Sequence, residues 1–143
     1  MFIGEYHHNL DEKNRLAVPV KFRARLDDGA VVTRWLDGAL VLYPKADWEK
    51  LAEKISQMSI TKSDNRAFSR HLLAGAMDVS LDSQGRIVLP DYLKKYGNLK
   101  KNVVIAGVFD RLEIWDEATW ETYRAKTESK SDEIAENLGQ LGI

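Results

Sequence analysis

NLDEKNRLAVP at residues 9–19 and SLDSQGRIVLP at residues 80–90 are two versions of one phrase. Each reads Leu-Asp-x-x-x-Arg, then a short apolar run, then Pro. Asp11, Arg15 and Pro19 recur as Asp82, Arg86 and Pro90, an offset of 71. Further on, VVTRWLDGALVLYPKADW from Val31 lines up with VVIAGVFDRLEIWDEATW from Val103, an offset of 72. The extra residue falls in an intervening loop, where insertions cost little. An internal duplication sets the architecture. The expected division is a first repeat at 5–47, linking helices at 48–75, a second repeat at 76–119 and a helical tail at 120–143.

Within each copy the pattern predicts a strand, the Asp-x-x-x-Arg turn, a second strand stopped by Pro19 or Pro90, and a short helix. The helix is VKFRARL in one copy and DYLKKYG in the other, the latter closed by Gly97. Two more strands follow in each, joined at Asp37-Gly38 or Asp110-Arg111. Helices are expected from Ala46 and Glu117, with Asp116 as N-cap, and from Ser63 to Leu73, ending near Gly75. The mixture of short strands and helices is an α+β pattern. In the tail, Ile134, Leu138 and Leu141 carry a short amphipathic stripe, marginal on its own.

The repeated loop has its own chemistry. Asp11 can accept hydrogen bonds from amides further along, an Asx-type turn. The fourth position is Asn14 in one copy and Gly85 in the other, the two residue types that most readily adopt a left-handed backbone. Alternation then sends Leu16 and Val18, or Ile87 and Leu89, to one face, and Arg15 and Arg86 to the opposite, wet one. Two readings of the arginines stand side by side. An Asp–Arg pair fixes the hairpin, or the arginines are held rigid to meet an anion or a guanine edge, for which their planar fork is suited. The two are compatible. Local basic residues favour the second: Lys13, Lys21, Arg23 and Arg25 are near the first loop, and Lys94, Lys95, Lys100 and Lys101 lie beyond the second.

With 21 Lys and Arg against 22 Asp and Glu, the net charge is −1, so any nucleic-acid surface has to be a local patch. The absence of Cys excludes disulfides and thiolate metal sites. No run reaches the ~18 apolar residues of a membrane span, and MFIGEYHHNL lacks the basic start and long apolar core of a signal peptide. The expectation is a cytoplasmic protein that contacts no membrane.

Taken together, the paired Asp-x-x-x-Arg loops, LYPKADW and LEIWDEATW resemble the MraZ family of bacterial transcriptional regulators, built from two tandem SpoVT-AbrB-type repeats. The resemblance covers nearly the whole chain. It implies a swapped-hairpin β-barrel, related to double-psi barrels, in which the repeats interleave about a pseudo-twofold axis. It implies homo-oligomeric rings, associated with the nucleoid, that bind double-stranded DNA at direct repeats upstream of their own operon, the division and cell-wall cluster. The family's DNA-contacting arginines carry over as Arg15 and Arg86, with Asp11 and Asp82 as supporting partners. Lys13 is the expected phosphate contact. Asn14 departs from the glycine usual in the first loop, and the turn is expected to survive because Asn tolerates the same backbone region.

Other chemistries find less support. His7 and His8 point to opposite faces of a strand, and only one other His exists, so no metal site is expected. Trp35, Trp48, Trp115 and Trp120 are expected in the core or at subunit contacts. No Ser/His/Asp order, Gly-rich phosphate loop or metal-spaced carboxylate set is present, so neither catalysis, a cofactor nor a small-molecule substrate is expected. The alternative to a DNA-binding regulator is a protein-interaction scaffold or antitoxin-like binder of another protein.

Overall fold

Strand exchange between the two copies organises the chain. The structure, a computed structural model, describes residues 1–139. In the first copy the strands are β1 (Phe2–Asn9), β2 (Arg15–Ala17), β3 (Ala30–Arg34) and β4 (Leu40–Pro44). Their counterparts are β5 (Met77–Val79), β6 (Arg86–Val88), β7 (Asn102–Phe109) and β8 (Arg111–Asp116). Within each copy the third and fourth strands form a hairpin, β3–β4 and β7–β8. The first strand leaves its own copy: β1 pairs with β7, and β5 pairs with β3. Like meets like at the centre, β4 against β8 and β2 against β6. The result is an antiparallel six-stranded sheet in the order β1-β7-β8-β4-β3-β5 and a separate two-stranded ribbon, β2-β6. These ladders end on β1 and β5 and do not close on themselves.

One core unites the copies. Leu16, Phe22 and Leu42 of the first lie in the same buried cluster as Ile87, Leu93 and Leu112 of the second. Strand β4 is buried along its whole length, the position of a central strand covered on both faces. On its other face, Val41, Tyr43, Trp48 of helix α1 (Lys45–Ser56) and Leu72 form a second cluster. Trp115 is buried and packs with Trp35 and Trp120 in a third. Three of the four indoles also need a polar partner, and each finds a carboxylate: Trp35 and Trp115 donate to Glu113 at 3.0 and 3.1 Å, and Trp120 to Glu5 at 2.9 Å.

The helices depart from expectation in instructive ways. The short helix expected after Pro19 is present at Val20–Leu26 and is wound as a 3₁₀ helix. Phe22 N–H bonds Pro19 O at 2.9 Å, and both Phe22 and Leu26 are buried in the core. Helix α2 (Ser63–Ser69) runs on into a π-helical turn at Arg70–Ala74. The carbonyls there have other donors: Thr33 Oγ1 to Leu72 O at 2.6 Å, and Arg34 Nε to His71 O at 3.0 Å. Side chains entering the ladder in this way account for the bulge. Helix α3 (Asp91–Tyr96) ends at Gly97, but Gly97 has a right-handed φ of −74° and Asn98, at +50°, makes the left-handed step. In the β7–β8 turn the left-handed residue is Phe109 (φ +63°), one position earlier than the expected Asp110-Arg111.

Helix α1 begins at Lys45, one residue before the expected start. Asp116 stands at the N-cap position of α4 (Glu117–Ser129) without capping it. Its buried carboxylate instead accepts the Lys100 backbone N–H at 3.1 Å. In the tail, α5 (Ser131–Asn137) leaves Ile134 and Leu138 exposed, and Leu141 lies outside the described residues. No helix among the described residues is long and apolar enough to cross a membrane.

Candidate nucleic-acid interface

Both loops fold through the same hydrogen bonds. Asp11 Oδ1 accepts the backbone N–H of Lys13 at 2.9 Å and of Arg15 at 2.8 Å, while Oδ2 accepts Arg15 Nε at 2.6 Å. Asp82 repeats this with Gln84 N–H and Arg86 N–H, both at 2.9 Å, and Arg86 Nε at 2.8 Å. Asn14 (φ +60°) and Gly85 (φ +74°) supply the left-handed step, so Asn does serve in place of Gly. The aspartate therefore does two jobs at once: it closes the turn and grips the arginine. The Arg15 backbone N–H, then its guanidinium and the Lys13 N–H, hold the Asp11 carboxyl below the usual aspartate value. Arg86 and Gln84 do the same for Asp82. A depressed carboxylate stabilises the fold above its unfolded pKa and loses that contribution as pH falls through the folded value, so both turns stay clamped throughout the neutral range.

The grip uses Nε alone. Among the described residues, the terminal nitrogens of Arg15 and Arg86 make no hydrogen bond. Their position follows from the ribbon register: Arg15 opposes Val88, Leu16 opposes Ile87 and Ala17 opposes Arg86. Directly opposed residues share a face, as do residues two apart on one strand. Leu16 and Ile87 are buried inward, so Arg15, Ala17, Arg86 and Val88 all lie on the outer face. The arginine side chains are 32% and 27% exposed, enough to be reached and enough to be held. They stand diagonally across the ribbon, roughly 7–8 Å apart at Cα by sheet geometry. Lys13 is exposed at the tip of the first loop.

Strand exchange reassigns the basic residues that sequence order placed beside each loop. Arg23, from the first copy, lies over Gly85 of the second loop. Conversely, Lys94, Lys100 and Lys101 of the second copy line a groove with Asp11 and Glu12 of the first loop. The loop tips also differ, since Asn14 Nδ2 donates to Asp91 Oδ1 at 2.6 Å, a contact spanning 77 residues that nothing local signals.

A second polar cluster lies away from the ribbon. The ligand-type atoms of Glu5, His7 and Glu121 lie within 4.8 Å of one another. Counting only His and Cys missed it, because carboxylates complete it: Glu5 of β1 and Glu121, brought in by α4. Both ring nitrogens of His7 already face carboxylates, Glu117 at 3.1 Å and Glu5 at 3.2 Å, which is the arrangement of an imidazolium. The Glu117 hydrogen bond, supported by Glu5, raises the His7 pKa, whereas burial followed by Arg23 lowers that of His8. A raised His stabilises the fold fully below its unfolded pKa and loses that contribution as pH rises through the folded value. The tie between β1 and α4 thus loosens on the alkaline side. In an NMR pH titration His7 is expected to lose its proton at higher pH than His8; the reverse order would contradict this cluster.

Comparison with known proteins agrees with the duplicated plan. A family model described as "MraZ protein, putative antitoxin-like" matches twice, at residues 1–71 and 72–141. Proteins named Transcriptional regulator MraZ are similar over the whole chain. That of Natranaerobius thermophilus is 50% identical over 143 residues, covering 100% of both chains. That of Oenococcus oeni is 48% identical over 143 residues with the same coverage. That of Leuconostoc mesenteroides is 47% identical over 138 residues, 96% of each chain. With both halves matched and full-length identities near one half, the chain belongs to the MraZ family.

Proposed function

We propose that this chain is a sequence-specific DNA-binding regulator of transcription whose reading element is the β2–β6 ribbon. The observation that carries the reading is the pair of arginines on one outward face, each clamped through Nε, with terminal nitrogens that no described residue pairs. A two-stranded ribbon fits the major groove, and a guanidinium meets O6 and N7 of guanine with two donors. Asp11 and Asp82 fix the arginines in advance, which lowers the ordering cost of binding. Lys13 contributes a phosphate contact, sequence-blind and salt-sensitive. The names of the relatives, all transcriptional regulators, support the same role.

The finer reading follows the family resemblance. The target is a set of direct repeats upstream of the chain's own operon, the division and cell-wall cluster, reached in the cytoplasm at the nucleoid. Two repeats, 5–47 and 76–119, form a swapped-hairpin barrel of SpoVT-AbrB type, and several copies form a ring. Exposed Ile3 and Phe109, near one end of the β1–β7 ladder, support self-association. A ring facing repeated sites gains ~10²–10⁴ in avidity when geometry permits simultaneous contact. The family description "antitoxin-like" favours a second reading, in which the same exposed groups receive a different protein.

The test is a titration of duplex from the upstream region with wild type, Arg15→Ala and Arg86→Ala at two salt concentrations. Salt-dependent binding that loses sequence preference in both variants is expected. Retention of a protein partner with no duplex binding at low salt would favour the second reading.

A further inference from the structure

The two ends of the ribbon are built alike but charged differently. At the second loop, Gly85 is buried beneath Arg23, and a Cβ placed on it would overlap the Arg23 guanidinium. Arg23 Nε donates to Val18 O at 2.8 Å, and Val18 N–H in turn donates to Gly85 O at 2.9 Å. This short relay fixes the guanidinium at the loop tip. No acidic side chain among the described residues pairs with Arg23, and the remaining donors of its fork are unused. At the first loop the corresponding tip residue is Asn14, and its partner is the carboxylate of exposed Asp91. By the offset of 71, Asp91 corresponds to Val20 and Arg23 to Lys94, so the duplication has diverged at both positions.

Charge balance separates Arg23 from the other two arginines. Arg15 and Arg86 each carry their own aspartate, so they present oriented donors with little net charge. Arg23 presents a whole positive charge. Paired arginines suit base edges; an unpaired one suits a phosphate. We propose that Arg23 is a third DNA-contacting guanidinium, holding the backbone phosphate beside the base contacted by Arg86. At the opposite end Asp91 stands against Asn14 and the positive charge comes from Lys13 and the lysines of the adjoining groove, so the two ends of the pseudo-symmetric ribbon present different charge patterns and give it a polarity on the duplex. The proposal rests on the DNA-binding reading and adds a residue and a direction to it.

The experiment measures anisotropy of labelled duplex, from the upstream region and from unrelated sequence, with the full-length chain at 50 and 200 mM salt. Arg23→Gln is expected to weaken binding to both duplexes by the same factor. Each phosphate contact adds about 0.9 to the salt slope, so the advantage of wild type over Arg23→Gln shrinks roughly threefold per bound chain between the two salts. Arg23→Lys, which keeps the charge, is expected to retain most of the slope. Asp91→Asn, a near-isosteric change at an exposed site, is expected to tighten binding to both duplexes; it carries the test by itself if Arg23→Gln fails to fold. A salt slope unchanged in Arg23→Gln, or affinity unchanged in Asp91→Asn, would overturn the proposal. If wild type binds and Arg86→Ala loses sequence preference while these two variants match wild type, only the role of Arg23 fails. If wild type binds no duplex at 50 mM, the DNA-binding reading fails with it.

Discussion

With Arg15→Ala and Arg86→Ala combined, the chain is expected to bind its upstream duplex no more tightly than an unrelated one, while still melting within roughly 3 °C of wild type. The large effect and the small one have the same origin. Each arginine in a good two-donor contact with guanine supplies ~1–3 kcal/mol of discrimination, about 5- to 150-fold. Neither contributes to the core: Leu16 and Ile87, on the other face of the ribbon, do that. The turn also keeps most of its closure without the guanidinium. Asp11 and Asp82 still accept two backbone N–H groups each, and Asn14 and Gly85 still make the left-handed step. Residual binding in the double variant comes from phosphate contacts, so its salt slope should stay near that of wild type. A large fall in melting temperature with sequence preference intact would make the arginines structural.

The second large effect lies at the seam between the copies. Leu112 of β8 opposes Leu42 of β4, both almost wholly buried, where the two central strands join. Leu112→Ala is expected to cost about 2–5 kcal/mol, the range for a leucine deleted from a packed core. For a chain of this size that is a fall of roughly 5–20 °C in melting temperature. The form of the transition matters as much as its midpoint. Because β1 depends on β7 and β5 on β3, neither copy can complete its sheet alone. Circular dichroism and Trp fluorescence should therefore follow one coincident transition, before and after the substitution. Two separated transitions, with only one copy weakened, would contradict the shared core.

Legibility in the sequence tracked the distance over which each contact acts. Asp-x-x-x-Arg encodes its turn by hydrogen bonds between residues two and four apart, so both loops and the inward Leu16 and Ile87 could be read directly. Pro19 and Pro90 marked the strand ends for the same local reason. What escaped was settled by partners far along the chain. Asp116 looks like a helix cap until Lys100 claims its carboxylate. The linker reads as plain α-helix until Thr33 and Arg34 take its carbonyls. His7 lacks partners in sequence until α4 delivers Glu117. Arg23 belongs to the first loop by number and to the second by contact, because exchange of strands crosses the copies. The duplication was plain in the sequence and the interleaving of its halves was implied by the family resemblance, whereas which strands change partners is given by the pairing.

The central claim is that one outward ribbon face, carrying Arg15 and Arg86, meets the duplex. Amide hydrogen exchange of the full chain, alone and with saturating upstream duplex, tests it most directly. The account predicts slowed exchange across residues 11–16 and 82–87, with α1 and α4 unchanged. Slowing confined to the helices, with both loops exchanging as in the free chain, would contradict it.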